Sequence, residues 1–465
     1  MSKQPKILFL NPPGKKIYIR DYYCSKVSKA YYLPQPVDLL MQTAHFSEEE
    51  FDLKVLDCIA EKLETKTALA QISTYSPDFI IGQIGSVSLE EDAPFYYNIK
   101  KQLPDVSILA SGDALLENHE ELLQQWPWLD AIITNFFNDG SLKWITGDFT
   151  KASGIVFRNE NGTKTNEATR ISNYEMAVPK HHLFDKRAYR MPFANALPIA
   201  TVLTNYACPY PCTFCIMSTM PYMTRSAESI ISELKEIKEL GYKYIYFSDQ
   251  TFFMSKLVSK AVLKWMIESN FGIKWMCFSR VDVLGEEEIG LMKQAGCNLI
   301  MFGVEFADED YLIKYKKNYT LEQIRNTFQL TAKAGIKRLG TFLIGVPGQS
   351  KDSILRTIQF AKEIDADYAS FNIAVPRSNT SFREEAIEAG IIDESLKVMD
   401  QSGDEVTMGT GILSKRELQK LKLRAYRLFY FRPHYLIKRL ISINSSTEFK
   451  VHVREGWHIF KALIS

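Results

Sequence analysis

Three cysteines fall within eight residues, in the segment CPYPCTFC that carries Cys208, Cys212 and Cys215. Thiolates are soft ligands, and three on one short loop can converge on a single inorganic centre. A structural zinc ion normally takes four protein ligands. No fourth Cys or His stands nearby, and the nearest upstream histidines, His181 and His182, lie well outside the loop. Three ligands suit a four-iron, four-sulfur cluster with one iron left open for an exogenous ligand, because a purely structural cluster usually has four cysteines. Structural zinc and unliganded core cysteines are the competing readings. The other four, Cys24, Cys58, Cys277 and Cys297, are dispersed and read as small buried apolar residues. Seven cysteines in a long chain do not suggest a disulfide framework.

The CxxxCxxC spacing, with Phe214 just before the last cysteine, resembles the hallmark of radical S-adenosylmethionine (SAM) enzymes. That resemblance implies that the open iron binds the amino and carboxylate groups of SAM, whose reductive cleavage gives a 5′-deoxyadenosyl radical. Further segments match in order. YFSDQTF places Ser248, Asp249 and Gln250 where the superfamily contacts the methionine part of SAM. FSRVD places Ser279 and Arg280 after the third strand, where a guanidinium holds a carboxylate bidentately. FGVEF places Glu305 at the fourth strand end, facing ribose hydroxyls in the resembling enzymes. FLIGVPG supplies Gly345, Val346 and Pro347 to a turn near adenine, where glycine lets backbone approach the ring. Each has a plainer reading: a surface ion pair for Arg280 or Glu305, an ordinary turn for Gly-Val-Pro-Gly.

Strands and helices must position these residues. In the first 150 residues, apolar runs at 7–10, 53–56, 79–81, 106–110 and 131–133 alternate with amphipathic or polar stretches. This predicts βαβ units in an α/β fold, a Rossmann-like doubly wound parallel sheet of five strands. Ligands of such sheets lie at the carboxyl ends of the strands, so the loops at 11–14, 85–89, 111–114 and 134–137 become candidates. Residues 151–197 read as a hairpin, turning at Asn161-Gly162, and an irregular linker. From 198 to 400, strands are expected at 199–203, 244–247, 275–278, 299–304, 339–344 and 368–373, with helical stretches such as 227–240 and 255–269. Six such units predict a partial (β/α)6 barrel of the radical SAM kind. Residues 401–465 are expected to form a helical carboxyl-terminal segment.

The amino-terminal layout resembles the cobalamin-binding domain fused ahead of many radical SAM enzymes. KILFLNPPG, IGSVSLEED and ASGDALLENHEELL carry that resemblance, and it implies cobalamin contacts at Pro13, Gly14, Ser86, Ser88, Ser111, Gly112 and Asp113. Members often have Gly-Gly where this chain has Ser111-Gly112, and Gly-Glu-Gly-Glu where it reads TNFFNDGS. None of the seven histidines has Asp two residues before it, so the Asp-x-His-x-x-Gly source of a cobalt ligand is absent. The plainer reading is a flavodoxin-like domain that binds nothing.

Near the carboxyl end, Arg424, Arg427, Arg432, Lys438 and Arg439 interleave with Tyr426, Phe429, Tyr430, Phe431 and Tyr435. Three uses stay open: aromatics sealing the barrel with solvated cations outside, docking at an anionic membrane surface, and nucleic-acid contact. A net charge of +1 gives no global pull toward nucleic acid, and none is expected as a partner. The first residues are too short an apolar run for a signal peptide and no membrane span is legible, so the expected location is the cytosol.

Together these readings anticipate a cobalamin-dependent radical SAM enzyme with a 4Fe-4S cluster, SAM and cobalamin. It would methylate an unactivated carbon of a small or lipid-like substrate, with an external one-electron reductant such as flavodoxin or ferredoxin. Ring formation, ring contraction or rearrangement with the same cofactors is the enzymatic alternative. Transfer RNA methylthiolation shares the barrel but asks for three auxiliary-cluster cysteines that the first domain lacks. The non-catalytic alternative is a metal-stapled binding protein.

Overall fold

The computed structural model describes residues 4–28, 32–160, 162–168, 171–398, 400, 402 and 405–441, with side chains up to 437. They fall into two units. One is built on residues up to 190 together with 223–241, the other on 191–222, 242–398 and the described residues from 402 onward. Helix Ala227–Glu239 thus groups with the first unit. Along the chain it is the crossover between the strand runs at 199–203 and 244–247, where the sequence placed a barrel helix.

In the first unit, β1 (Lys6–Asn11), β2 (Asp52–Asp57), β3 (Phe79–Gln83), β4 (Ser107–Ser111) and β5 (Ala131–Ile133) run parallel in the order β2-β1-β3-β4-β5. This is a doubly wound order with its switch point between β1 and β3. The strands are continuous apolar runs because a parallel sheet is covered on both faces. Ile80, Ile108 and Ala110 share a core with Phe95, Tyr96 and Ile99, and Tyr96 stacks on Trp128 at 5.6 Å. The hairpin is present, as β6 (Ile155–Asn159) and β7 (Gly162–Asn166), while Asn161 itself lies outside the described residues. β6 pairs antiparallel with β5, Ile132 opposite Val156, so the sheet has seven strands rather than the expected five. The hairpin covers the open hydrogen-bonding row that β5 would otherwise present.

In the second unit, β8 (Ile199–Val202), β9 (Tyr244–Phe247), β10 (Lys274–Ser279), β11 (Cys297–Glu305), β12 (Lys337–Ile344) and β13 (Tyr368–Ile373) lie parallel in sequential order, an open barrel. All six match the expected apolar runs. Amphipathic helices return the chain between strands. Helix Leu321–Lys333 buries Ile324, Thr327, Phe328 and Thr331, and starts at a Thr320/Gln323 capping box.

Edge strand β13 is closed by helices α1 (Lys415–Tyr430) and α2 (Pro433–Ile441). The hydroxyl of Tyr430 donates to the Ala369 carbonyl at 2.8 Å and accepts from its N–H at 3.0 Å. Tyr435 donates to the Asp367 carbonyl at 3.0 Å and Tyr426 to that of Phe371 at 3.5 Å. Three phenols thus satisfy alternate residues along the strand edge. The basic and aromatic cluster splits accordingly, with Arg424 and Arg427 exposed. The side chains of Lys438 and Arg439 lie outside the described residues. Among the described residues no helix is long and apolar enough to cross a membrane.

Candidate functional site

The cysteine loop leaves the carboxyl end of β8. Ala207, just before Cys208, has φ +61°, a left-handed conformation that a non-glycine residue adopts only when its surroundings enforce it. The loop then turns tightly: the Cys215 N–H donates to the Cys212 carbonyl at 3.1 Å, and the Ser218 hydroxyl to the Cys215 carbonyl at 2.7 Å. Cys212 is buried, Cys208 and Cys215 partly so, and none is in a disulfide. Each thiol lies within electrostatic reach of the others. Burial pushes the Cys208 thiol up, and the Cys215 thiol up to about 11. Phe214 meets the Tyr315 ring edge-on at 6.3 Å. No three His, Cys, Asp or Glu side chains among the described residues gather as ligands of one ion. An iron–sulfur cubane does not ask for that, since each thiolate goes to a different iron. His181 is engaged elsewhere, 2.8 Å from Glu233.

The other candidates sit at successive carboxyl ends, as the spacing implied, but several are engaged with the protein itself. Asp249 is fully buried. Its Oδ1 accepts from the Thr204 N–H at 2.7 Å and the Asn205 N–H at 3.1 Å, while Oδ2 accepts from the Thr204 hydroxyl at 2.7 Å. Its carboxylate therefore staples the strand end from which the cysteine loop departs. Ser248 and Gln250, beside it, are half-buried. Ser279 donates to the Phe252 carbonyl at 2.9 Å. Thr251 reaches Cys208, Oγ1 to Sγ 3.8 Å.

Arg280 is buried and clasps Asp282, Nε to Oδ1 2.9 Å and Nη2 to Oδ2 2.8 Å. Its bidentate fork, which the sequence reading offered to a SAM carboxylate, is filled from within the chain. Glu305 has φ +65° at a register shift between β11 and β12, and its Oε1 lies 3.4 Å from the ammonium of Lys317. Burial works against the Lys317 charge, yet Tyr319, Glu305 and Cys212 outweigh it and hold that ammonium above the ordinary lysine range. Gly345 has φ +88°, and its N–H donates to Gln349 at 2.7 Å. Val346 and Pro347 are buried behind it. Near Cys208 two buried polar atoms have no partner: Oδ1 of Asn205 and the hydroxyl of Tyr222, which burial, Asp249 and Cys208 push above the usual phenol range. Orphaned groups beside three thiols fit a site that takes a polar ligand together with a cluster.

Residues 202–361 match the Radical SAM superfamily, a span that begins at β8 and holds every residue of this site. The chain carries a radical SAM domain. Over 452 residues it is 29% identical to an uncharacterized methyltransferase of Pyrococcus horikoshii, covering 94% of this chain and 95% of that protein. It is 22% identical to the anaerobic magnesium-protoporphyrin IX monomethyl ester cyclase of Rubrivivax gelatinosus, over 83% of this chain and 71% of the cyclase. Its fold is similar to the radical S-adenosylmethionine methyltransferase TsrM of Kitasatospora setae, solved with cobalamin and a [4Fe-4S] cluster, with TM-score 0.71, 14% identity and 99% of both chains covered.

Ahead of the radical SAM domain, the first unit brings Pro13, Ser86, Ser88, Ser111, Gly112 and Asp113 to the carboxyl ends of β1, β3 and β4, with Gly14 packed against the Tyr18 ring. Most of their polar groups are taken by the chain. The Ser86 N–H donates to Asp113 Oδ1 at 2.8 Å, and the Ser25 N–H and hydroxyl both donate to Asp113 Oδ2 at 2.8 Å. Ser88 donates to Asp92 at 2.6 Å, Ser111 to Asp38 at 3.1 Å. Gly112 has φ +133°, and a side chain there would strike the Ile84 carbonyl, so backbone packing already requires this glycine. The switch point holds Arg20, fully buried, bonded to Asn11 at 2.9 Å, to the Pro12 carbonyl at 2.9 Å and to Asp92 at 2.8 Å. Oxygens of Asp21, Asp38 and Gln83 remain buried without partners there. Burial raises both carboxyls, Asp21 to about 7, so their neutral forms, which can donate to a ligand acceptor, persist above the ordinary carboxylate range. These orphans fit a large polar ligand better than the serines do. Sequence reasoning missed Arg20, Asp21, Asp38, Asn205, Asp282 and Lys317, because their roles depend on loops from distant segments. Only Asp282, two residues past Arg280 in FSRVD, carried a local signal.

Proposed function

We propose that this protein is a cobalamin-dependent radical SAM enzyme that methylates an unactivated carbon of a small or lipid-like substrate. The observation that carries the reading is the three-thiol loop at the carboxyl ends of an open barrel, with unpartnered polar groups beside it. The methyltransferase name of the full-length Pyrococcus relative supports methylation. The full-length likeness to TsrM, solved with cobalamin and a [4Fe-4S] cluster, supports both of those groups.

When bound, such groups supply reductive cleavage of SAM to an adenosyl radical and a methyl group for a substrate carbon radical. The chain's own part is to bind, orient and exclude water. Cys208, Cys212 and Cys215 hold iron, and Asp249 fixes the loop that carries them. Ser248, Gln250, Asn205 and Tyr222 offer hydrogen bonds to the amino-acid end of SAM, Glu305 to ribose, and the Gly345–Val346–Pro347 turn backs adenine. Asp21, Asp38 and Gln83, with the strand-end serines, face a corrinoid's polar periphery. Electrons come from an external reductant of the flavodoxin or ferredoxin class.

A second reading keeps the cofactors and drops methyl transfer, favoured by the cyclase relative that spans most of this chain. Anaerobically reconstituted protein, reduced in the presence of SAM, methylcobalamin and candidate substrates, separates the two. Methylated product with both 5′-deoxyadenosine and S-adenosylhomocysteine supports methylation. Substrate consumption with 5′-deoxyadenosine alone supports ring formation or rearrangement. A fully loaded cluster that yields no 5′-deoxyadenosine turns the reading toward a metal-stapled binding protein.

A further inference from the structure

A guanidinium has five N–H donors. In Arg280 two go to Asp282, and Nη2 gives a second to the Lys317 carbonyl at 2.7 Å. Nη1 points at the sulfur of Cys212, 3.7 Å away. The plane is held from its faces as well: the Tyr210 ring lies 3.5 Å from the guanidinium carbon and the Tyr319 ring 5.1 Å. The segment opposite is shaped to match. Lys316 and Asn318 both have left-handed backbones, at φ +53° and +57°, and the carbonyl of Lys316 faces the Cys212 sulfur at 3.8 Å. So much fixation of one cation on one thiol exceeds what a surface ion pair needs. It also removes the fork from any second carboxylate unless Asp282 lets go.

We propose that Arg280 is a positioning residue that tunes the redox potential of the centre at Cys212, through its N–H···S contact and its buried charge, rather than the residue that clasps the SAM carboxylate. This rests on the iron–sulfur reading above. One electron enters from an added reductant and no bond forms or breaks. Donors and positive charge beside a thiolate ligand favour the more negative, reduced cluster, and so raise its potential. Asp282 opposes part of that charge while holding its direction, so the two residues have opposite expected signs.

The test is an anaerobic redox titration of the reconstituted full chain without SAM, followed by electron paramagnetic resonance, beside iron content and SAM affinity. At the potential that half-reduces the wild type, Arg280→Gln should carry wild-type iron but lower the reduced-to-oxidised ratio about tenfold, 59 mV for a one-electron couple. Asp282→Asn should raise that ratio, and Arg280→Lys, which keeps the charge and loses the fork, should fall between Gln and wild type. An unchanged SAM-free ratio in Arg280→Gln, with weakened SAM binding, overturns the proposal and restores the carboxylate role. Should Arg280→Gln fail to take up iron, Asp282→Asn decides alone, and an unchanged or lowered ratio overturns the proposal. A wild-type protein with no reducible cluster overturns the underlying reading, and this proposal with it.

Discussion

Asp249 and Thr204 share a pair of hydrogen bonds: Oδ1 accepts the Thr204 N–H and Oδ2 its hydroxyl, both at 2.7 Å, in a fully buried setting. The pair joins the end of β9 to the end of β8, where the cysteine loop begins. Asp249→Asn keeps the shape but replaces charged acceptors with one neutral oxygen. The expected cost is about 2–3 kcal/mol, the scale of hydrogen bonds to a charged group. Iron bound per chain should drop in parallel, measured by iron assay beside urea unfolding. Wild-type iron loading would show that the staple does not position the loop.

At the barrel edge, Tyr430 exchanges two hydrogen bonds with the backbone of Ala369, whereas Tyr426 makes a long contact with the Phe371 carbonyl and meets the Ser370 side chain. Tyr430→Phe should destabilise by about 1–2 kcal/mol and Tyr426→Phe by less, since losing the Tyr430 hydroxyl leaves two backbone groups of Ala369 unpaired. Urea midpoints of the two variants test the ranking.

Arg20 and Asp92 form a fully buried ion pair at the switch point of the first sheet. Removing one partner strands the other charge, so Arg20→Met should cost about 3–5 kcal/mol. Arg20→Met with Asp92→Leu should recover most of that loss. If the double variant is no better than the single, the pair's importance lies in the carbonyls of Pro12 and Pro13 that Arg20 also binds.

Asp21 gives the first unit a pH signature. Burial, with Asp113 adding to it and Lys26 opposing it, lifts its carboxyl to about 7. An unfolded aspartate titrates near ~3.9, so between these values the folded state holds the extra proton. Stability from this group is complete below the lower value and is lost as pH rises through the upper one. The buried Asp38 shifts in the same direction. Wild type should therefore unfold at lower urea at about pH 8 than at about pH 5, and Asp21→Asn should flatten that slope. An unaltered slope would place the titration elsewhere.

Much of this protein was legible in one dimension because the relevant physics is local. Apolar runs such as those of β8 to β13 become parallel strands wherever both faces are to be covered. The Cys208-x-x-x-Cys212-x-x-Cys215 spacing puts three thiols on one loop whatever surrounds it. Ser248, Arg280, Glu305 and Gly345 likewise had to fall near successive strand ends once the strand positions were known.

What tertiary structure decided is which of those polar groups remain free. A carboxylate or guanidinium is worth the same in sequence whether it faces a ligand or a neighbour 40 residues away. Only the fold brought Thr204 to Asp249, Cys212 and the Lys317 carbonyl to Arg280, and Ser25 to Asp113, and so engaged groups that the spacing offered to ligands. It also joined the hairpin to the first sheet and gave three tyrosines an edge strand to cap. Buried polar atoms must find partners, and the partner is set by packing between distant segments rather than by order along the chain.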